Sequence, residues 1–460
     1  MRFVLLSGGS GKRLWPLSND NRSKQFLKLL RSDSYKEQSM LQRVWNQLRE
    51  VGYDDQTIVA TSNSQVDMII NQLGRNVPLI IEPERRDTFP AIALAAAYLY
   101  SIQKISLNEK IAVMPVDPYV ETPFFQKISD LEPIMDETGA ELGLIGVKPT
   151  FPSSKYGYII PLKNQNDEYV NVSHFQEKPT EEEAKELLSK NALWNAGVFA
   201  FKLGTLIDIL LEKGLPIQYN ELLNRYSELP KISFDYEVVE KLEHIVALPY
   251  KGYWKDLGTW NTLTDEMATN LLGKGMISPD SENTHIVNEL DIPVAALGVK
   301  DMVIAASPDG ILVTEKSASP RIKELLKDFD QRPMFEERRW GWYHVIDHAS
   351  YEDGQEMLTK RISVLPGKNL SYQYHETRNE VWTVIKGEGE FVLDDKIIPI
   401  KAGDVLRVPA RAKHSVKALT ALEFIEVQTG RNLVEDDKTR LFESWEEIEA
   451  HCEFVKLQVK

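Results

Sequence analysis

The sequence predicts a chain in three parts: a Rossmann-like α/β domain around a mostly parallel sheet, a short β-rich connector, and a C-terminal all-β barrel. Over the first ~265 residues short apolar runs alternate with longer amphipathic stretches, which is the pattern of a parallel sheet flanked by helices. From about residue 283 to residue 314 the runs become short, β-type and broken by Gly, Asp and Pro. From residue 340 onward alternating strands are separated by turn signals, which favours a small barrel or sandwich.

Length and composition limit the function classes. At 460 residues the chain is too long for one ordinary core, and about 150 residues per domain predicts roughly three units. The net charge is −15, which argues against nucleic acid or an anionic membrane as a partner because no positive field is available to neutralise a polymer of phosphates. A small phosphorylated substrate needs only a few local cations.

The N-terminus and the cysteine content predict a compartment. The segment Met1–Ser7 has an apolar run of only four residues, shorter than the core of a signal peptide. No stretch approaches the ~18–20 apolar residues of a membrane span. The single cysteine, Cys452, excludes an intrachain disulfide framework and a multi-cysteine zinc ribbon. We therefore expect a cytoplasmic protein.

Individual elements follow from the same patterns. In the first part, strands are predicted over Phe3–Leu6, Thr57–Ala60, Pro78–Ile81, Ile111–Pro115, Leu142–Val147 and Val198–Phe201. Helices are predicted over Ser64–Leu73, Ala91–Ile105 and Glu181–Ser189. Later elements are the β-type runs Val294–Leu297, Met302–Ala305 and Ile311–Val313, a helix and linker over Ser319–Phe335, and a terminal helix over Ser444–Cys452.

A glycine-rich turn directly follows the first predicted strand, with the sequence Ser-Gly-Gly-Ser-Gly-Lys-Arg from Ser7. Its glycines let the backbone turn tightly and present N–H groups to an anion, while Lys12 and Arg13 place positive charge beside it. It is not a Walker A loop, because Arg13 stands where a magnesium-binding hydroxyl is needed, and its glycine spacing does not fit a dinucleotide fingerprint. The two remaining interpretations are a phosphate-binding loop and a tight turn with a solvated basic rim.

The segment Gly8–Ser18, followed by Lys24–Leu27, resembles the signature of mannose-1-phosphate guanylyltransferases. Its Leu-Trp-Pro-Leu-Ser and Lys-Gln-Phe sequences distinguish it from uridylyl- and thymidylyltransferase relatives. Ser23 departs from the family, which usually has proline before the lysine. Since Lys24 is kept, we expect this departure to change the stiffness of the loop and not the chemistry.

The resemblance continues in order over about 260 residues. The matching segments are Glu82–Ile92, Pro115–Pro118, Tyr156–Ile159, Glu177–Pro179, Trp194–Phe199, Asp235–Tyr236 and Trp254–Trp260. Asp87 stands where the family usually has asparagine, and Pro118 replaces the histidine of a Pro-Ala-Asp-His motif. These two departures bear on the preferred base and not on the type of reaction.

Nucleotidyl transfer sets a sugar-1-phosphate oxygen against the α-phosphorus of a nucleoside triphosphate, and pyrophosphate leaves. Several negative charges meet, so catalysis is mainly charge neutralisation and alignment. A hard divalent cation held by one or two carboxylates supplies both. Asp117, at a strand end, and Asp256, between aromatic and glycine residues, are candidates for this role. From spacing alone each is equally a helix cap or a turn former.

The resemblance implies a role for each matching residue, and implies that GMP is transferred from GTP to α-D-mannose 1-phosphate, giving GDP-mannose. The implied catalytic residues are Arg13, Lys24, Asp117 and Asp256, of which the two aspartates hold Mg²⁺. The implied nucleotide-binding residues are Gly8, Gly9, Ser10, Gly11, Lys12, Arg13, Glu82, Arg86 and Thr88. The implied sugar-phosphate-binding residues are Gly157, Glu177, Lys178 and Asn195. Without the resemblance, Glu177 and Lys178 are an ordinary ion pair on a surface turn.

A second constellation lies in the predicted barrel. Gln373 and His375 are two residues apart on a strand and so face the same side. Glu380 follows a turn, and His414 lies on a strand further along the chain. Two histidines, a glutamate and a glutamine that converge inside a barrel make a site for Zn²⁺, Mn²⁺, Co²⁺ or Fe²⁺. A lone histidine on a strand is usually structural, so that interpretation stays open as well.

This spacing resembles the two cupin motifs, and the sequence from Arg339 to Gly430 resembles the mannose-6-phosphate isomerase domain that is fused to many of these guanylyltransferases. The resemblance implies a short β-helical connector, a cupin barrel, and interconversion of mannose 6-phosphate and fructose 6-phosphate. Glu376, Thr377 and Val381 replace histidines of the family, and its Tyr-Gly-Arg ending is absent. We therefore expect metal binding, while the differing residues put the isomerase activity in question.

The predicted domains are residues 1–268 for the nucleotidyltransferase, 269–335 for the connector and 336–460 for the cupin. Three hypotheses follow: a bifunctional enzyme, a guanylyltransferase whose cupin is a binding or oligomerisation module, and a sugar-nucleotide sensor without turnover. The sensor is disfavoured because the charged residues of the transferase site are all present. The expected partners are GTP, mannose 1-phosphate, a hexose 6-phosphate at the barrel, and a second copy of the chain in a dimer.

Overall fold

The computed structural model describes residues 1–9, 11–19, 21–31, 37–162, 168–329, 331–434 and 437–455. The chain forms two compact units. The first comprises Met1–Val287, Val294–Ile304 and Val313–Lys327, and the second comprises Asn288–Pro293, Ala305–Leu312 and Asp328–Lys460. Within the described ranges, no helix is both long enough and apolar enough to cross a bilayer.

A nine-stranded sheet forms the centre of the first unit. In spatial order its strands are Leu79–Glu82, Thr57–Ser62, Arg2–Leu6, Lys110–Pro115, Leu193–Lys202, Leu142–Val147, Ile245–Tyr250, Val170–Gln176 and Tyr158–Pro161. The first four strands are parallel to one another. Leu193–Lys202 runs antiparallel to both of its neighbours in this order and so separates this group from the parallel pair Leu142–Val147 and Ile245–Tyr250. Each predicted strand of this part overlaps an observed one, which confirms the predicted fold class.

Helices cover both faces of this sheet. The helices of the unit are Met40–Glu50, Val66–Leu73, Thr88–Ser101, Pro123–Ser129, Leu131–Thr138, Glu181–Ser189, Leu203–Glu212, Tyr219–Asn224, Phe234–Glu237, Trp260–Thr264 and Ile322–Leu325. Along the first strand, Val4 belongs to one apolar cluster, while Phe3 and Leu5 belong to another. Alternate residues of a strand point to opposite faces, so the sheet is buried on both sides, as parallel sheets usually are.

Two adjacent strands deliver the site to one edge of the sheet. Arg2–Leu6 runs directly into the glycine-rich turn, and its parallel neighbour Lys110–Pro115 ends two residues before Asp117. Parallel strands place their carboxyl ends at the same edge, where α/β sheets bind ligands. A small antiparallel pair, Pro118–Val120 with Trp254–Asp256, sets Asp256 opposite Pro118 and therefore beside Asp117.

The connector is built from short strands. Their bounds are Leu271–Leu272, Gly275–Ile277, His285–Asn288, Val294–Ala296, Met302–Ser307 and Gly310–Glu315. Leu271–Leu272 pairs in parallel with His285–Asn288, and Gly275–Ile277 pairs in parallel with Val294–Ala296. Very short parallel ladders joined by turns are typical of a β-helix. A 3₁₀ turn over Lys316–Arg321 follows and leads into the helix Ile322–Leu325.

Two six-stranded sheets form the C-terminal barrel. One contains, in spatial order, Phe335–Arg338, Gly341–Ser350, Glu356–Val364, Leu422–Gly430, Arg378–Lys386 and Val405–Val408. The other contains Thr439–Phe442, Tyr372–Tyr374, His414–Ala418, Glu388–Leu393, Lys396–Lys401 and Glu453–Phe454. Trp382 stacks on Phe424 in the barrel core, with ring centroids 4.6 Å apart. The helix Trp445–His451 is followed by Cys452, which is buried.

Candidate functional site

The glycine-rich turn rests on a buried network of amides and hydroxyls. Gly9 has a φ of 124°, a left-handed conformation that favours glycine. The Ser23 hydroxyl donates to the Gly9 carbonyl at 3.2 Å and accepts from the Gln65 side-chain amide at 2.7 Å. The Gln25 amide donates to the Ser7 carbonyl at 2.8 Å. Ser23 thus makes contacts that the proline usual in the family lacks the groups to make. Ser10, a predicted nucleotide ligand, lies outside the described residues.

Lys24 joins the two predicted metal-binding aspartates. Its ammonium nitrogen Nζ lies 2.7 Å from Asp117 Oδ2 and 3.9 Å from Asp256 Oδ1. The same nitrogen donates to the Leu257 carbonyl at 3.4 Å. The structure therefore brings three of the four predicted catalytic residues together from segments that are far apart in the sequence.

The two carboxyl groups differ in their ionisation. Burial on its own raises the pKa of Asp117, but the adjacent Lys24 ammonium outweighs burial and holds the pKa of that carboxyl below its ordinary value. Burial raises the pKa of Asp256, the Lys24 charge opposes the rise, and the neighbouring Asp117 charge adds to it. Asp117 is thus the carboxyl group of the pair that ionises at the lower pH.

Arg13 completes the predicted catalytic set. It lies close enough to act electrostatically on both Asp117 and Asp256. Gly258 separates the groups: a Cβ built there meets Asp256 Oδ2 at 2.9 Å and Arg13 Nη1 at 3.4 Å. Arg13 is exposed and Lys12 half-buried in the 3₁₀ turn Gly11–Leu14. Both residues therefore lie on the turn that is predicted to bind phosphate.

The chemistry of this donor set fits magnesium. Asp117 and Asp256 offer hard carboxylate oxygens, and both side chains remain about a quarter to a third exposed, at 27% and 31%. Mg²⁺ is usually held by one or two carboxylates and keeps its other positions for water and substrate phosphates. A partly exposed carboxylate pair beside a phosphate-binding turn meets both requirements.

The predicted nucleotide-binding residues divide into two groups. Glu82 is buried next to Gly8, where a built Cβ lies 3.7 Å from Glu82 Oε1. Burial raises the pKa of Glu82, although the Tyr226 hydroxyl, which donates to it at 2.6 Å, opposes the rise. Arg86 donates to the Leu229 carbonyl and Thr88 accepts from the Phe234 amide, each at 2.8 Å. These last two residues tie the start of a helix to the segment around residue 230.

The four residues of the predicted sugar-phosphate pocket lie together. Lys178 Nζ lies 2.6 Å from Glu177 Oε1, and the Asn195 amide nitrogen donates to the Gly157 carbonyl at 2.8 Å. A Cβ at Gly157 comes within 2.5 Å of Glu177 Oε2, so the position has no room for a side chain. The Asn195 side chain donates to Asp235 at 3.3 Å. Burial, followed by the Glu177 charge, raises the pKa of Asp235 to about 7.

An aromatic wall joins this pocket to the aspartate pair. Tyr156 lies 4.8 Å from Trp194 and 5.7 Å from Trp254, measured between ring centroids. Burial, with the negative charge of Asp256 adding to it, raises the pKa of Tyr156 to about 12. Tyr156 thus stands between Asp256 and the adjoining Gly157, and glycine turn, aspartate pair and sugar-phosphate pocket are contiguous.

The barrel holds His375, Glu380 and His414 together, with one candidate ligand atom of each lying within 4.8 Å of the others. His414 Nδ1 lies 3.0 Å from the Ala412 carbonyl, and His375 Nδ1 contacts the Asp437 carbonyl. Both contacts assign the ring proton to Nδ1 and leave a lone pair on Nε2. Among the described residues, His414 Nε2 is buried without a hydrogen-bond partner, 3.4 Å from Glu380 Oε2. The Arg378 guanidinium contacts Glu380 Oε1 and His375, so the lone pair of His414 and the second carboxylate oxygen are the donors that fit a divalent metal.

The charge states agree with that fit. Burial lowers the pKa of His375 to about 3 and that of His414 to about 4, so both imidazoles are neutral near pH 7. Burial raises the pKa of Glu380, while the Arg378 charge opposes the rise. The Gln373 side-chain oxygen accepts from Ser371 at 2.7 Å, although Gln373 pairs in register with His414. Gln373 thus lies opposite His414 and is hydrogen-bonded to Ser371, and its role as a metal ligand stays a prediction.

The residues that differ from the isomerase family lie outside this centre. Glu376 pairs with Arg411 at 3.0 Å, and Thr377 donates to Asp437 at 2.7 Å. Val381 is exposed. Thr377 reaches the centre only through Asp437, whose carbonyl contacts His375 Nδ1. The effect of the three replacements on isomerase activity stays a prediction.

Sequence reasoning missed several groups that the structure places in these sites. Arg378 is buried against His375 and Glu380, with its Nε 3.2 Å from Glu380 Oε1. Tyr226 and Gln65 support the nucleotide side from distant segments. Only Arg378 carries a sequence signal, since it lies between two ligands on one stretch of chain.

Comparison with known proteins identifies three matching families. Residues 2–271 match the family described as Nucleotidyl transferase, residues 275–329 the MannoseP isomerase/GMP-like beta-helix domain, and residues 330–443 the Mannose-6-phosphate isomerase C-terminal family.

Several curated relatives match nearly the whole chain. The chain is 30% identical to Mannose-1-phosphate guanylyltransferase 2 of Escherichia coli O157:H7, over 95% of this chain and 96% of the relative. It is 29% identical to the Alginate biosynthesis protein AlgA of Pseudomonas aeruginosa, over 95% of each. Among solved structures, that of mannose-1-phosphate geranyltransferase from Thermus thermophilus covers 72% of this chain and 99% of its own, with 28% identity and a TM-score of 0.59.

Proposed function

Because the chain belongs to the family of mannose-1-phosphate guanylyltransferases, we propose that its first unit transfers GMP from GTP to α-D-mannose 1-phosphate, giving GDP-mannose and pyrophosphate. One observation carries the proposal: Lys24 contacts both Asp117 and Asp256 beside a glycine turn at the carboxyl edge of the sheet. An ammonium and two carboxylates at that place suit the neutralisation and alignment of phosphates.

The nucleotide enters at the glycine turn. Backbone N–H groups of the turn and the exposed Arg13 guanidinium bind its phosphates, and Asp117 and Asp256 hold Mg²⁺. When bound, Mg²⁺ neutralises phosphate charge and polarises the phosphorus–oxygen bonds under attack. The Lys24 ammonium lies 2.7 Å from Asp117, so a phosphate bound at that carboxylate through Mg²⁺ is also close to Lys24. Lys24 then gives up part of its contact with the aspartates and pairs with the phosphate.

The sugar phosphate binds on the other side of the aromatic wall. Lys178 pairs with the phosphate. The Glu177 carboxylate accepts hydrogen bonds from sugar hydroxyls, and the Asn195 side-chain amide donates to them. Glu177 fixes the position of the Lys178 ammonium at 2.6 Å, so the cation is oriented before the substrate arrives. Its phosphate oxygen then attacks the α-phosphorus, the bond from that phosphorus to the bridging oxygen breaks, and pyrophosphate leaves.

Formation of GDP-mannose by purified protein from GTP and mannose 1-phosphate in Mg²⁺ tests this proposal. We expect GDP-mannose and pyrophosphate in equal amounts. Parallel assays with ATP, and with glucose 1-phosphate, test the base and the sugar separately. Equal rates with ATP and GTP contradict the guanylyl assignment and leave the transferase, whereas no product with any pair contradicts both.

We propose a second activity for the barrel, the interconversion of mannose 6-phosphate and fructose 6-phosphate. The observation that favours it is the neutral His375 and His414 pair facing Glu380, with none of Glu376, Thr377 and Val381 in that cluster of three residues. These three residues hold a divalent transition metal, which orients the sugar phosphate for proton transfer when bound. The alternative is a barrel that binds ligands or a second chain without turnover.

The assay is conversion of fructose 6-phosphate to mannose 6-phosphate after chelation and refilling with Mn²⁺, Co²⁺ or Zn²⁺. Turnover that depends on the metal and is lost in His414→Ala supports the second activity. No turnover with any metal, alongside active GDP-mannose synthesis, leaves the barrel as an accessory module.

A further inference from the structure

A lysine of the connector lies beside the phosphate-binding turn. The short helix Ile322–Leu325 packs against the turn Gly11–Leu14 within the first unit. Ile322 and Leu326 are its buried anchors, whereas Lys323 is exposed. The connector thus supplies side chains to the edge of the site and does not only join the domains.

Hydrogen bonds hold this segment in place. The Ser319 hydroxyl accepts from the Asn261 amide at 3.2 Å, which ties the 3₁₀ turn Lys316–Arg321 to the helix Trp260–Thr264. Trp260 in turn donates its indole N–H to the Trp15 carbonyl, 3.1 Å away, just beyond the glycine-rich turn. The position of Lys323 relative to the turn is therefore fixed from two sides.

The charged groups that act on Lys323 are both positive. Partial burial of Lys323, followed by the charges of Arg13 and Lys24, lowers its pKa. Among the described residues, Lys323 forms no ion pair. Lys24 is already engaged with Asp117 and Asp256. Three cations and two carboxylates therefore lie close together, and the helix that carries Lys323 packs against the glycine-rich turn.

We propose that Lys323 binds the pyrophosphate portion of the nucleoside triphosphate and holds it as the leaving group. The proposal rests on the proposed transferase function. Lys323 lies beside Arg13 and the turn, whereas the sugar phosphate is bound by Lys178 beyond Tyr156, so the assignment is to the β- and γ-phosphates. An anion there neutralises three mutually repelling cations, which a neutral ligand does not.

Binding of magnesium pyrophosphate to the full chain, measured by calorimetry, tests the proposal without turnover. We expect Lys323→Ala to weaken pyrophosphate binding about tenfold, with the difference shrinking as salt is raised. Lys323→Arg, which keeps the charge, restores most of the affinity. Lys327→Ala is the matched control: it removes one exposed lysine four residues away and leaves the affinity unchanged.

Steady-state kinetics supply the second readout. In Lys323→Ala we expect the KM for GTP to rise about tenfold while the KM for mannose 1-phosphate stays within about twofold. Pyrophosphate affinity in Lys323→Ala equal to that of Lys327→Ala overturns the proposal, as does a rise confined to mannose 1-phosphate. Wild-type protein that binds pyrophosphate but makes no GDP-mannose contradicts the proposed function instead, so the two failures are distinguishable.

Discussion

The two centres of this chain differ most in how much water reaches them. In the first unit the Lys24, Asp117 and Asp256 side chains are 13%, 27% and 31% exposed. In the barrel the His375, Glu380 and His414 side chains are only 1–2% exposed. The first centre consists of charged side chains of both signs that stay partly exposed, and the second places neutral imidazoles beside the buried Glu380 carboxyl and the Arg378 guanidinium.

This difference indicates two ways of preparing for a cation. In the open centre the Lys24 ammonium already contacts both carboxylates, so we expect a metal to arrive with its highly charged substrate and to leave with the product. In the buried centre the candidate ligand atoms of His375, Glu380 and His414 already lie within 4.8 Å of one another. A resident metal suits the second centre, and an exchangeable one suits the first.

Removal of one charge from the open centre is expected to have the largest effect. Asp256→Asn keeps the shape of the side chain and removes its negative charge, so we expect kcat for pyrophosphate release to fall about 100- to 1,000-fold. The barrel's metal content, measured on the same sample, stays unchanged because the two centres share no residue. Full activity of this variant contradicts the assignment of Asp256 to the metal.

The buried centre is tested by removing a donor. In His414→Ala we expect affinity for Zn²⁺ to fall about 100-fold, so that stripped and refilled protein lacks one equivalent of metal. His348→Ala is the matched control, since His348 lies on the same barrel and faces Glu356 at 3.9 Å on the surface. Equal metal contents in the two variants leave only a structural role for His414.

The pH dependence of KM near neutrality separates the sugar-phosphate pocket from the nucleotide site. Asp235, whose pKa is raised to about 7, contacts Asn195 and is influenced by Glu177, Lys178 and Asp87. As pH rises through 7 it gains a negative charge beside the sugar-phosphate pocket, so we expect the KM for mannose 1-phosphate to rise severalfold. In Asp235→Asn this rise disappears, whereas the KM for GTP has the same pH dependence in the variant as in the wild type. A wild-type profile that is flat across neutral pH contradicts the assignment.

The raised pKa of Asp235 also makes the stability of the folded state depend on pH. The folded state holds this proton more tightly than the unfolded chain does. The stabilisation from Asp235 is therefore complete below about pH 4 and is lost as pH rises towards 7, beyond which it is constant.

The smallest expected effect concerns the support beneath the open centre. Ser23→Ala removes the hydroxyl that joins Gly9 to Gln65 and leaves the buried Gln65 amide without that partner. We expect the Tm of the first unit to fall by about 2–4 °C, the effect of roughly 1 kcal/mol. Ser64→Ala, which removes an exposed hydroxyl nearby, is the control and changes Tm little. Equal Tm values in the two variants show that the network does not support the turn.

Local pattern and resemblance predicted what depends on short stretches of chain. The first strand, the glycine turn and the terminal helix were each predicted from a short stretch of sequence, and the sheet was predicted from the alternation of apolar runs. The antiparallel course of Leu193–Lys202 was not, because strand direction is set by connections and not by composition. The predicted helix Ala91–Ile105 begins earlier, at Thr88, because the Asp87 carboxylate accepts from the Thr88 amide.

Sites that depend on distant segments were harder to predict. The pairing of Lys24 with Asp117 and Asp256 needs a β-ladder across residues 118–120 and 254–256. Lys323 has an unremarkable sequence context and gains its meaning only from packing against the glycine turn. The exposure of Val381 likewise follows from strand register in the barrel. The residue roles and the domain bounds 1–268, 269–335 and 336–460 stay predictions.

The buried position of Cys452 makes the protein convenient for spectroscopy. It is the single thiol in 460 residues, it is shielded at the end of the last helix, and burial raises the pKa of its thiol, so thiol-reactive dyes react with it slowly. A cysteine introduced at an exposed position is therefore labelled selectively without first removing the native one. A fluorophore placed at position 325, which is exposed on the helix that packs against the glycine-rich turn, then reports on the binding of nucleotide there.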